Sequence, residues 1–107
     1  MNQPLVRNYV GGEFVDPRRG EGAGTWDKIN PVDGSVLATV HEADARLVDR
    51  AVRAARAALD GAWGASTVGP RTDQLRKVAD RIEERFEEFV LAESADTGKP
   101  LAQAREL

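Results

Sequence analysis

The sequence predicts a mixed α/β chain in which two short β-hairpins precede a helical bundle. Two observations carry this expectation. The turn-forming residues gather in residues 1–43, and the apolar residues of 44–107 recur at helical rather than alternating spacing. The expected division is therefore 1–43, the N-terminal hairpins, and 44–107, the helices.

The first hairpin is read from Asn8-Tyr9-Val10 and Glu13-Phe14-Val15 on either side of Gly11-Gly12. Glycine takes the positive φ that a tight hairpin turn demands. Asp16 to Gly24 then holds one proline, four charged residues and three glycines, which predicts a loop. The second hairpin runs from Trp26–Val32 into Ser35–Val40 through Asp33-Gly34, a strong two-residue turn signal. Pro31 has no N–H to give a ladder, so its strand belongs at an edge or is bulged there.

From Asp44 the period changes. Leu47, Val48, Ala51, Val52, Ala55, Ala58 and Leu59 share one helical face, opposite Arg46, Asp49, Arg50, Arg53 and Arg56. Asp44 suits the N-cap and Gly61 the stop, and the alanines permit close approach of a neighbour. Trp63 and Gly64 break the pattern. Thr67 can cap the next helix with Pro70 in its first turn. Leu75, Val78, Ala79, Ile82, Phe86, Phe89 and Val90 form a stripe that fits one helix, or two with a break near Arg85. Gly98 is the expected C-cap, and Lys99 puts a cation near the negative helix end. Pro100 starts a last helix, Leu101 to Leu107, which carries no stop signal, as either a natural terminus or a truncation would read. The two stripes, if nothing else covers them, can bury only each other, and leftover apolar surface favours association.

Composition excludes several chemistries. The chain has 107 residues, no cysteine and one histidine. Thiol nucleophiles, disulfides and thiolate metal sites are therefore ruled out within it, and a lone His41 cannot build a usual zinc site. His41 reads as an ordinary surface or hairpin residue. A net charge of −3 with interleaved arginines and acids argues against a nucleic-acid partner and for a solvated mixed-charge face. No apolar run is long enough for a membrane span, and Met1-Asn2-Gln3-Pro4 does not resemble a signal peptide, so a cytoplasmic location is expected. Gly20-Glu21-Gly22-Ala23-Gly24 lacks the spacing and strand-to-helix setting of a phosphate loop and reads as a flexible linker. Glu83-Glu84 and Glu87-Glu88 point in different directions on a helix, and Ser35, Ser66 and Ser94 lack a nucleophile-elbow setting. Asp96 is less ordinary, because a carboxylate at a helix C-terminus opposes the macrodipole unless it caps the loop or binds a cation.

Five stretches in order resemble the start of the aldehyde dehydrogenase superfamily: Asn8-Tyr9-Val10-Gly11-Gly12-Glu13-Phe14, Ile29-Asn30-Pro31-Val32-Asp33-Gly34, residues 48–58, residues 76–83, and Glu93-Ser94-Ala95-Asp96-Thr97-Gly98-Lys99-Pro100. Asn30-Pro31-Val32-Asp33-Gly34-Ser35 and Ala95-Asp96-Thr97-Gly98-Lys99-Pro100 are most similar to members acting on 2-hydroxymuconic or aminomuconic semialdehyde. The resemblance implies the opening of a cofactor-binding domain, with residues 44–107 its incomplete helical part. It implies a parent enzyme, homo-oligomeric at full length, that oxidises an aldehyde to a carboxylic acid with NAD or NADP. In such enzymes a cysteine thiolate attacks the aldehyde and hydride passes to the cofactor. No catalytic or cofactor-binding residue of that kind maps onto this chain, so the chain alone is expected to be inactive. The resemblance also implies a structural monovalent cation at Lys28, Ile29 and Asp96, held by two backbone oxygens and a carboxylate. The competing expectation is a stand-alone helical interaction module without catalysis.

Overall fold

Glycine geometry and capping side chains set most element boundaries in the computed structural model, which describes residues 3–106. The strands are β1 (Leu5–Val6), β2 (Tyr9–Val10), β3 (Glu13–Phe14), β4 (Thr25–Ile29) and β5 (Val36–His41). The α-helices are α1 (Ala45–Asp60), α2 (Ala62–Ala65), α3 (Val68–Glu84), α4 (Phe86–Thr97) and α5 (Leu101–Ala104). The chain forms two compact units, one of residues 1–28 and 36–65, the other of residues 29–35 and 66–107.

In the first unit, β2 and β3 pair antiparallel with Tyr9 opposite Phe14. Gly11 and Gly12 both take positive φ, 63° and 87°, as the expected two-residue turn requires. The Tyr9 and Phe14 rings meet edge to face at 5.0 Å, and the Arg7 guanidinium lies 4.5 Å over Phe14. A second sheet has the order β1-β5-β4. β1 runs parallel to β5, with Leu5 opposite Thr39 and Val6 opposite Val40. The sequence does not announce β1, because two residues carry no periodicity.

The expected loop at residues 16–24 contains a turn of 3-10 helix, Pro17–Arg19. Asp16 caps it by accepting from the Arg18 N–H at 2.9 Å. Asp44 caps α1 as expected, its carboxylate accepting from the Leu47 N–H at 2.8 Å. The alanine face does allow close approach: a Cβ at Gly11 would stand 3.9 Å from Ala54 Cβ. α1 contacts both β2 and α2, and Leu47, Val15 and Ala38 are buried.

Trp63 and Gly64 do not end the helical pattern. They form the one-turn α2, and Gly61 before it is extended rather than left-handed. Gly64 is required by space, since a Cβ there would overlap the Leu59 carbonyl oxygen at the end of α1.

In the second unit, Thr67 occupies the N-cap of α3 without a side-chain cap bond, and Pro70 lies in the first turn. The long stripe resolves into two helices that part at Arg85 (φ −110°, ψ 21°), where the Arg85 guanidinium grips Glu88 at 2.7 Å. α4 contacts α3 and α5, and Val90 and Ala104 are fully buried. α5 ends at Ala104, shorter than expected, and Leu107 lies outside the described residues.

Both apolar stripes are largely exposed, with Leu47 and Val90 as their buried members. Val48 and Val52 on α1 are 52% and 55% exposed, and Leu75 and Val78 on α3 are 66% and 55% exposed. Each stripe thus leaves apolar surface open to solvent within its own unit. An apolar groove of about 380 Å³ between β2 and α1, floored by Val48, Ala51 and Val52, is part of that face.

Alanine normally stabilises a helical position by about 1 kcal/mol over glycine. Gly64→Ala should do the reverse and destabilise by about 1–3 kcal/mol, because the added methyl has no room beside Leu59. The shift of the urea midpoint measures it.

Candidate cation site

The candidate ligands sit at two element ends. Lys28 and Ile29 are the last residues of β4, the edge strand of its sheet. Carbonyl oxygens, which both residues carry, are ligands a hard monovalent cation accepts. Asp96 is the penultimate residue of α4 and is exposed. Ile29 and Asp96 belong to the second compact unit, whereas Lys28 belongs to the first.

After Ile29 the chain turns through a loop that its own side chains build. Asn30 Oδ1 accepts from the Val32 N–H at 2.9 Å, and the Gly34 N–H donates to the Asn30 carbonyl at 2.9 Å. Asp33 Oδ1 accepts from both the N–H and the hydroxyl of Ser35, at 2.9 and 2.6 Å. Asn30 N–H then closes the loop onto the Ser35 carbonyl at 2.8 Å. Only Gly34 has positive φ here, 75°. The expected two-residue Asp33-Gly34 turn is therefore replaced by a four-residue loop at 31–34. Its cause is the Asp33 carboxylate, which spends its acceptors on Ser35. Pro31 lies in this loop, beyond the strand, so it costs no ladder bond.

The end of α4 is fixed as tightly. Gly98 adopts the left-handed conformation (φ 76°) and its N–H donates to the Ser94 carbonyl. The Ser94 hydroxyl donates to the Lys99 carbonyl at 2.7 Å, and the Thr97 hydroxyl to the Glu93 carbonyl at 2.7 Å. Lys99 Nζ bonds Glu93 Oε1 at 2.7 Å, which places the expected cation near the carbonyl end of the helix. A Cβ at Gly98 would lie 3.3 Å from Pro31 Cγ and 3.6 Å from Val32 Cγ2. Within this unit, then, the loop that follows Ile29 packs on the cap that follows Asp96. The Glu93–Lys99 pair and the Ser94–Lys99 bond went unread in the sequence, since a spacing of five or six residues across a helix end matches no simple period.

No cluster of three His, Cys, Asp or Glu side chains suited to a metal ion occurs among the described residues. His41, expected as a surface or hairpin residue, closes β5, the central strand of its sheet, and is buried at 3% exposure. Gly20 to Gly24 is more than a linker. Ala23 N–H donates to the Glu42 carbonyl and Glu42 N–H to the Gly24 carbonyl, both at 2.9 Å, which ties the segment to the end of β5.

Comparison with known proteins places the chain. The model of the aldehyde dehydrogenase family matches residues 18–106. The chain belongs to the aldehyde dehydrogenase family. It is 49% identical over 98 residues to 2-aminomuconic 6-semialdehyde dehydrogenase of a Pseudomonas species, covering 92% of this chain and 19% of that protein. It is 46% identical over 99 residues to 2-hydroxymuconic semialdehyde dehydrogenase of Pseudomonas sp. strain CF600, covering 92% of this chain and 20% of that protein. Among solved structures, an NAD-dependent aldehyde dehydrogenase from Sinorhizobium meliloti superposes with a TM-score of 0.87 at 38% identity, over 98% of this chain and 21% of that one. PnpE in complex with nicotinamide adenine dinucleotide gives 0.85 at 39% identity, over 95% of this chain and 20% of that one. The chain thus spans about a fifth of the length of the relatives it matches.

The loop beside Ile29 has a pH signature. The Ser35 hydroxyl, then the Ser35 N–H, holds the Asp33 carboxyl below its ordinary value. A carboxyl lowered in the folded state stabilises above its unfolded value and loses that contribution as pH falls through the folded one. Carboxyl NMR should show Asp33 titrating below an ordinary aspartate, and Ser35→Ala should move it back up.

Proposed function

We propose that this chain is the amino-terminal scaffold of an NAD(P)-dependent aldehyde dehydrogenase that oxidises a muconic semialdehyde to its carboxylic acid. The observation that carries the reading is identity of 46–49% over 92% of the chain with two muconic semialdehyde dehydrogenases. The absence of cysteine supports a structural rather than a catalytic share for these residues, because the thiolate chemistry has no nucleophile here. Residues 1–43 supply hairpins and 44–107 the incomplete helical part of the NAD(P)-binding domain. NAD(P) accepts the hydride when bound; this chain's share is to present the α1 and α3 faces on which the rest of that domain packs. Their exposure agrees with such a role. The full-length enzyme is cytoplasmic and homo-oligomeric in this reading. Among the described residues no helix is long and apolar enough to cross a membrane.

The same reading gives the chain one ligand site. By family resemblance, the backbone oxygens of Lys28 and Ile29 and the carboxylate of Asp96 are offered as ligands of a monovalent cation. The all-oxygen donor set fits such an ion. The packing of Pro31 and Val32 on Gly98 supports the half of the site that Ile29 and Asp96 contribute.

Two measurements check these claims. The chain alone, given NAD+ or NADP+ and 2-hydroxymuconic or 2-aminomuconic semialdehyde, should show no reduced cofactor, whereas the full-length coding sequence should turn over at least one of them. Turnover by the chain alone removes the scaffold reading. In the full-length protein, replacing choline chloride with potassium chloride should raise the melting temperature, and Asp96→Asn should abolish that rise. An unchanged potassium response in Asp96→Asn removes the site.

A further inference from the structure

An aspartate followed by glycine is the place where a protein chain isomerises most readily, because glycine sets no side chain between its nitrogen and the preceding carboxyl carbon. The pair occurs twice, as Asp33-Gly34 and Asp60-Gly61. All four residues are exposed, so burial does not distinguish the two pairs. Hydrogen bonding does. Asp33 Oδ1 accepts from the Ser35 N–H and hydroxyl, at 2.9 and 2.6 Å. The Gly34 N–H donates to the Asn30 carbonyl at 2.9 Å. Carboxyl and nitrogen are thus each engaged elsewhere. The Asp60 carboxylate has no hydrogen bond or ion pair among the described residues. Asp60 closes α1, and Gly61 leaves the helix extended (φ −101°, ψ −159°), without a cap bond comparable to the 2.9 Å bond from Gly98 to Ser94. Helix ends open more easily than helix interiors, so this junction has the freedom that the 31–34 loop lacks.

We infer that Asp60-Gly61 is a site of spontaneous aspartyl isomerisation at the junction of α1 and α2, and that the bonds around Asp33 guard the other pair against the same change. The Gly61 nitrogen attacks Asp60 Cγ and forms a new N–Cγ bond. The amide proton, one carboxyl oxygen and one proton from solvent leave as water, closing a succinimide. Water then returns to either carbonyl of the ring. Breaking the new N–Cγ bond restores aspartate. Breaking the bond from nitrogen to the original main-chain carbonyl carbon leaves an isoaspartyl link with a free α-carboxylate. Nothing is oxidised or reduced, and water is the only co-reactant.

The product lengthens the main chain by a single atom between α1 and α2. That corner has little slack, since a Cβ on Gly64 would already overlap the Leu59 carbonyl oxygen. Isomerisation therefore disturbs the seat of α2 on the end of α1. The free α-carboxylate is the group that repair methyltransferases esterify with S-adenosylmethionine.

Ageing the full chain at neutral pH and body temperature tests the inference. Isoaspartate is read by methyl transfer from labelled S-adenosylmethionine and placed by peptide mapping. It should accumulate at Asp60 roughly tenfold faster than at Asp33, whose hydrogen bonds must break first. In concentrated urea the two rates should converge. Ser35→Ala should speed the change at Asp33, and Ser35→Thr, which keeps the hydroxyl, should not. Gly61→Ala should slow the change at Asp60. Its methyl meets nothing closer than the Ala57 carbonyl oxygen at 3.7 Å, so the fold accepts it. Equal rates at the two sites in the native chain would overturn the inference, as would a difference that persists in urea. An Asp33 rate unmoved by Ser35→Ala would overturn the guarding role.

Discussion

The structure depends on apolar surface that it does not bury. Val15, Ala38, Leu47, Val90 and Ala104 are the buried apolar side chains among the described residues, and four of the five are valine or alanine. Against them stand two helices of 16 and 17 residues whose apolar faces are open. Burial of apolar area is the main favourable term in folding, so helices of this length normally draw their stability from a covered face. What holds this chain locally is therefore polar and conformational: the Asp44 and Asp16 caps, the paired glycines of the first hairpin, the Asp33–Ser35 turn and the Gly98 cap. The polar chemistry sets the places of the elements, while the helix faces stay largely exposed.

Family membership gives that arrangement a meaning. The chain matches a fifth of each relative's length and superposes on a solved family member with a TM-score of 0.87 over nearly all of its own, so it shares the family's fold. In the proposed reading the uncovered stripes are surface on which further residues of such an enzyme pack. The absence of cysteine agrees with that proposal, since thiolate chemistry has no nucleophile in this chain.

Much of the fold is legible in the sequence because it is written in local chemistry. Gly11-Gly12, Asp44, Pro70 and Gly98 each act on their own backbone, and each is found where its conformational preference puts it. The features that escaped are those decided by distant partners. β1 exists because β5 offers it an edge, not because Leu5-Val6 favours a strand. Gly64 reads as a breaker until the Leu59 carbonyl beside it shows that it is needed for space. Asp33 looks like a hairpin residue until Ser35 claims its carboxylate. His41 looks like a surface or hairpin residue because nothing in its neighbours announces its bonds to Asn8 and Glu21. Of the candidate cation site, the carboxylate at a helix end was visible in the sequence, while the packing of Pro31 and Val32 on Gly98 was not.

The central claim is that α1 and α3 carry interior faces, and it is tested most directly by the solution state of the chain alone. Sedimentation velocity together with binding of the apolar dye ANS measures it. The account predicts dye binding and concentration-dependent self-association, both suppressed when Val48, Val52, Leu75 and Val78 are replaced together by polar residues. A monomer that binds no dye and unfolds in one cooperative step would contradict it.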